Sequence, residues 1–95
     1  MSKKRPTKEE SEHMARVAAL GCIICGAPAE VHHLTGAGMG LRSKDVIPLC
    51  PAHHRLGGHG VAVHAGTKTF EENFGTQQEL LEETRRRLED DSRNI

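Results

Sequence analysis

The stretch Asp45-Val46-Ile47-Pro48-Leu49-Cys50-Pro51-Ala52-His53-His54 decides the fold of this 95-residue chain. Val46 to Leu49 is an apolar run short enough to be a strand. Pro51 suits the first turn of a following helix, where its missing N–H is not needed. That helix carries His53 and His54 and stops at Gly57 and Gly58. A strand thus gives way to a helix across Cys50, with a thiol and an imidazole three positions apart at the junction.

Upstream, Cys22 and Cys25 have the same two-residue gap as Cys50 and His53, and 24 residues separate the two pairs. Two such pairs converge readily on one tetrahedral ion, and zinc(II) favours thiolate and imidazole. A Cys3His shell fills all four positions, so a structural Zn2+ is the expected role. The competing reading makes the cysteines plain buried turn and core residues. A redox Cys-x2-Cys pair lacks the surrounding strand and helix order that such motifs need. Three cysteines cannot all pair as disulfides, which points to a reducing compartment.

The chain needs such a staple. At this length roughly 60–65% of the unfolded surface can be buried, and Phe70 and Phe74 are the only aromatic residues of the Phe, Tyr and Trp class. One small α+β domain is expected over residues 9–90, after a flexible basic tail at 1–8 and before a frayed end at 91–95. Thr7, Glu9 and Glu10 open a helix with Met14, Val17, Ala18 and Leu20 on its apolar side and Gly21 as its stop. Glycine and proline between Cys22 and Pro28 make a knuckle, and Glu30 to Leu34 reads as a first strand. Gly36, Gly38 and Gly40 mark a loop. Val61 to His64 is a short extended or turn segment, Thr67 to Phe74 a helix closed by Gly75. A last helix starts at a capping box of Thr76 and Glu79, with Leu80, Leu81, Thr84 and Leu88 as its apolar stripe. That stripe has two candidate partners, the first helix or a second copy of the chain, so oligomeric state is open.

Formal charge is zero, but residues 71–95 hold eight acids against four bases while residues 21–70 hold two against four. The basic middle permits a polyanionic partner. No stretch approaches the ~18 apolar residues of a membrane span, and the basic start lacks the apolar run of a signal sequence.

With His53 assigned to zinc, His32, His33, His54, His59 and His64 remain from position 32 onward. Neighbours on a strand face opposite ways, so His32 and His33 do not bind one ion side by side; one can bind metal while the other faces substrate. Neighbours on a helix differ by about 100°, so His53 can turn to zinc while His54 turns to a second ion. Two adjacent residues then serve two sites.

The set Cys22-Ile-Ile-Cys25, Val31-His32-His33-Leu34, Asp45 through Cys50, His53-His54, Val63-His64 and Thr69 to Gly75 resembles the HNH (ββα-metal, His-Me finger) endonucleases. It is especially similar to phage recombination-enhancement nucleases that act with a recombinase filament. The resemblance covers roughly residues 20–90 and implies a ββα-metal core and metal-dependent hydrolysis of DNA phosphodiester bonds. By that resemblance His32, His54 and His64 are ligands of a catalytic divalent metal and His33 is the general base. His59 is the rival to His64; its glycine-flanked stretch, Gly57 to Gly60, looks like an insertion. No asparagine lies between His33 and His54, and Asp45 stands nearest the family's middle position. It is read as orienting His33 or tying down the loop, against the plainer role of a surface strand cap.

In the chemistry so implied, imidazole accepts a proton from water near neutral pH while the ion acts as Lewis acid. Mg2+, Mn2+, Ni2+ and Zn2+ are the candidate ions, and imidazole is a poor ligand for Mg2+. Arg42, Lys44 and Arg55 flank the site as phosphate-binding candidates, each against the reading of a solvated surface charge. The implied partners are DNA and, by resemblance alone, a recombinase filament, in the cytoplasm of a bacterial or phage-infected cell. The alternatives are a zinc-stapled DNA-binding or adaptor module without cleavage, which predicts an empty second site, and a metal-storage or metal-sensing protein.

Overall fold

A computed structural model of the protein describes residues 7–34 and 45–93. Its order is α1 (Lys8–Ala19), a knuckle, β1 (Glu30–His33), β2 (Val46–Leu49), a π-helical turn (Ala52–Leu56), a 3-10 turn (Val63–Ala65), α2 (Thr67–Phe74) and α3 (Gln77–Arg93). Lys8 is the first residue of α1 and Thr7 is its N-cap, rather than part of a tail. The Thr7 hydroxyl accepts from the Glu10 N–H at 3.1 Å, and the Glu10 carboxylate accepts from the Thr7 N–H at 2.8 Å. This reciprocal cap satisfies two amides that the first turn leaves without partners. Likewise, α3 continues past Asp90 to Arg93.

The knuckle turns because Gly21 and Gly26 take φ of 84° and 82°, a region that side chains resist. A Cβ on Gly21 would also sit 3.0 Å from the Gly26 carbonyl oxygen. The knuckle then docks on the second strand through the Ile23 N–H to the Pro48 carbonyl, 2.9 Å.

β1 and β2 form an antiparallel pair in which Glu30 faces Leu49 and His32 faces Ile47. All four residues of β2 are buried, because the ribbon has cover on both sides. Val46 packs with Val17 of α1 and Leu88 of α3, while Ile47 and Leu49 enter a larger core with Cys22, Ile23, Cys50, Val63, Phe70, Leu80 and Leu81. The apolar stripe of α3 therefore packs within the chain, and Leu88 meets α1. Thr84, the polar member of the stripe, is buried with its hydroxyl donating to the Leu80 carbonyl at 2.8 Å. Buried this way, the hydroxyl keeps a partner. Among the described residues no helix is long and apolar enough to cross a membrane.

Candidate metal centres

Among the described residues two groups of ligand atoms stand out, each drawn within 4.8 Å: Cys22, Cys25, Cys50 and His53 in one, and His32, His54 and His64 in the other. In the first, the Cys25 and Cys50 sulfurs are 3.7 Å apart, and His53 Nδ1 is 3.7 Å from Cys22 Sγ and 3.3 Å from Cys50 Sγ. Two sulfurs each ~2.3 Å from a tetrahedral ion stand ~3.8 Å apart, so this cluster can hold a metal ion such as zinc. Burial works against ionising Cys22. Main-chain N–H groups of Cys50, Cys25 and Ile24 outweigh it and hold the thiol below its ordinary value; the Ile24 N–H is 3.4 Å from the sulfur. A lowered thiol favours the thiolate that a metal requires.

The second group comes from three elements: His32 from β1, His54 from the π-helical turn and His64 from the 3-10 turn. The turn opens with His54 N–H donating to the Cys50 carbonyl and closes with Gly57 N–H donating to the Ala52 carbonyl, each at 2.9 Å. The wider i to i+5 closure is the π form, a geometry frequent at functional sites. It still sends His53 and His54 to different clusters, as adjacent helical positions require. A Cβ on Gly57 would lie 2.4 Å from the Ala52 carbonyl oxygen and 2.5 Å from a Val61 methyl, so the close return of the chain needs glycine here.

His54 Nε2 and His64 Nε2 are 3.0 Å apart, between the ~2.8–3.0 Å of a right-angled pair and the ~3.3–3.4 Å of a tetrahedral pair of nitrogens each ~2.0–2.1 Å from a shared ion. His54 Nδ1 donates to the Glu30 carboxylate at 2.6 Å, which leaves the lone pair on Nε2. Arg55 grips the same carboxylate through Nε at 2.8 Å and Nη2 at 3.2 Å. Arg55 first, then His54, pulls the Glu30 carboxyl down to about 2, so it is ionised at neutral pH. His32 is 2% exposed, and its Nε2 donates to Gln77 Oε1 at 2.8 Å. Burial pushes its pKa down to about 4. His64 is lowered too, by burial and then by His54. Neutral imidazole is the form that binds a metal.

His59 stays out of this group. Its Nε2 is 3.3 Å from the Thr69 hydroxyl, and its ring lies against Gly66, where a Cβ would be 2.9 Å from Cδ2. His33 is exposed at the end of β1, outside both groups, opposite Val46. Asp45 Oδ1 accepts from Arg85 Nη2 at 2.8 Å, which ties the start of β2 to α3. Arg55, read as a phosphate contact, is committed to Glu30, while Arg42 and Lys44 lie outside the described residues. Glu30 and Gln77 were not singled out by sequence. Glu30 had a readable signal, since it stands two residues before His32 and shares its face of the strand; Gln77, 45 residues away, had none.

A small α+β domain with a Cys3His cluster beside a trihistidine cluster is the class that fold and site define. The chain belongs to the DUF968 family, described as a protein of unknown function, whose family model matches residues 1–88. It is also similar to the uncharacterized protein YdfU of Escherichia coli K12, with 41% identity over 66 residues, 63% of this chain. The match covers 17% of that relative's length.

Proposed function

We propose that this protein is a metal-dependent DNA endonuclease of the HNH class, with a structural zinc at Cys22, Cys25, Cys50 and His53 and a catalytic divalent metal at His32, His54 and His64. The observation that carries this reading is the convergence of three imidazoles that the Cys3His shell does not use. The donor set fits a borderline transition ion: the three rings offer nitrogen alone, two of them at the spacing of shared ligands. When bound, the ion supplies Lewis-acid stabilisation of the phosphate and of the departing 3′ oxygen.

The chain's own residues do the rest. Glu30 holds the His54 ring in one tautomer, and Arg55 holds Glu30 ionised and in place. His33, carried over from the family resemblance, is exposed next to the ligand His32 and takes the proton of the attacking water. In this reading Asp45, with Arg85 bound to it, steadies the strand end on which His33 sits. So small a domain offers little surface for reading bases, which favours cutting directed by DNA structure or by a partner such as a recombinase filament.

The test is cleavage of plasmid and single-stranded DNA with Mg2+, Mn2+, Ni2+ or Zn2+, wild type beside His33→Ala. Metal-dependent nicking that falls by ~10²–10⁴-fold in the variant, with zinc content and fold unchanged, is the expected result. Undiminished cutting by His33→Ala would overturn the general-base assignment. No cutting with any ion, with or without a recombinase filament, would leave the zinc-stapled DNA-binding module.

A further inference from the structure

Gln77 is the first residue of α3, yet its side chain is 6% exposed and ends at a histidine of the opposite half of the chain. A buried amide so placed must be hydrogen-bonded, or its burial is unfavourable. Its Oε1 accepts from His32 Nε2 at 2.8 Å. Neutral imidazole has one N–H and one lone pair, so a proton on Nε2 leaves the lone pair of His32 on Nδ1. At His54 the assignment is reversed, because Nδ1 donates to Glu30 and the lone pair is on Nε2. The cluster is therefore built from rings presented by different nitrogens, each chosen by its own acceptor.

Resting on the reading of His32 as a metal ligand, we propose that Gln77 is a positioning residue that selects Nδ1 of His32 as the nitrogen offered to the catalytic metal. Several contacts hold Gln77 in register for this. Its N–H donates to the Glu71 carboxylate at 2.8 Å, and the preceding Thr76 forms a reciprocal cap with Glu79 at 2.9 and 3.0 Å. The start of α3 is thus anchored to α2 before the side chain reaches β1. A neutral amide also differs from the carboxylate that holds His54. It orients the ring without adding a negative charge, so the ion keeps more of its positive charge for phosphate.

The experiment is a long-range 15N–1H correlation spectrum of the histidine rings in protein loaded with one equivalent of zinc, followed by titration with a second. The expected result is a single His32 tautomer protonated at Nε2, with the second zinc perturbing Nδ1. Gln77→Leu should lose the single tautomer and bind the second zinc about 10–100-fold more weakly, whereas Gln77→Glu, which keeps an acceptor, should retain the Nε2 proton. A His32 proton on Nδ1, or coordination through Nε2 while the second zinc still binds, would overturn the proposal and leave the metal site standing. An Nε2 proton with no uptake of a second ion would instead overturn the metal-site reading and this proposal with it. If Gln77→Leu fails to fold, the wild-type and Gln77→Glu spectra decide alone.

Discussion

The two ligand clusters are neighbours, but they are assembled differently. Cys22, Cys25, Cys50 and His53 come in two short-range pairs, and Cys22 is supported by main-chain N–H groups of Cys50, Cys25 and Ile24, all within the cluster's own two segments. His32, His54 and His64 come singly from three elements and depend on side chains brought in from elsewhere: Glu30 with Arg55 for His54, and Gln77 for His32. The first cluster can assemble from local chain geometry plus an ion. The second exists only once β1, the π-helical turn and the 3-10 turn have come together, with α3 bringing Gln77. The junction at His53 and His54 makes the dependence directional. The π-helical turn has no buried residue of its own, so it is held by Cys50 and His53 on one side and by Glu30 on the other.

The strongest way to break this contrast is Cys50→Ser. Binding of zinc by a structural site contributes apparent free energies of ~10–16 kcal/mol in small zinc domains, as large as the whole ~5–15 kcal/mol net stability of a typical domain. Loss of one thiolate should unfold the protein and abolish both clusters together, seen as loss of helical circular dichroism and of stoichiometric zinc. A folded Cys50→Ser protein that still took up an ion at His32, His54 and His64 would show the second cluster to be independent of the first.

A smaller and more selective effect is expected of Glu30→Gln. The substitution keeps the shape but removes the charge that His54 and Arg55 share. Outer partners of metal ligands are worth about 10–100-fold in affinity, so calorimetric titration of zinc-loaded protein should show that loss at the trihistidine cluster. The Cys3His zinc should be retained in full. Equal loss at both clusters would mean that Glu30 supports the fold and not one ligand.

Smallest is Thr76→Ala, which removes the hydroxyl half of the cap on α3. Such caps are typically worth ~1 kcal/mol, or a drop of roughly 4–8 °C in Tm for a domain of this size. Differential scanning calorimetry should find that drop with zinc content unchanged. An effect confined to the second cluster would show that the cap serves mainly to place Gln77.

The sequence named both ligand sets, the first from spacing alone and the second through the family resemblance, with His59 open as rival to His64 and with Glu30 and Gln77 unseen. The Cys-x2-Cys and Cys-x2-His spacings are statements about residues a few positions apart, so they survive whatever the rest of the chain does. The choice between His59 and His64 was different. Both are exposed histidines near glycines, and only the fold places one against His54 and the other against Gly66 and Thr69. Arg55 shows what a charge alone leaves out: a basic residue beside a candidate nucleic-acid site is paired with a carboxylate from another element.

Local patterns alone determined the helix starts at Thr7 and Thr76, the two short strands, the knuckle and the Cys-x2-Cys and Cys-x2-His spacings, because caps, alternation and ligand gaps act over two to four residues. The tertiary structure decided the rest: that the ribbon is covered on both faces, that α3 packs on α1, that Asp45 meets Arg85, and that Gln77 reaches His32. Those contacts join residues tens of positions apart, and no period or spacing records a contact whose geometry is set only when distant segments share one core.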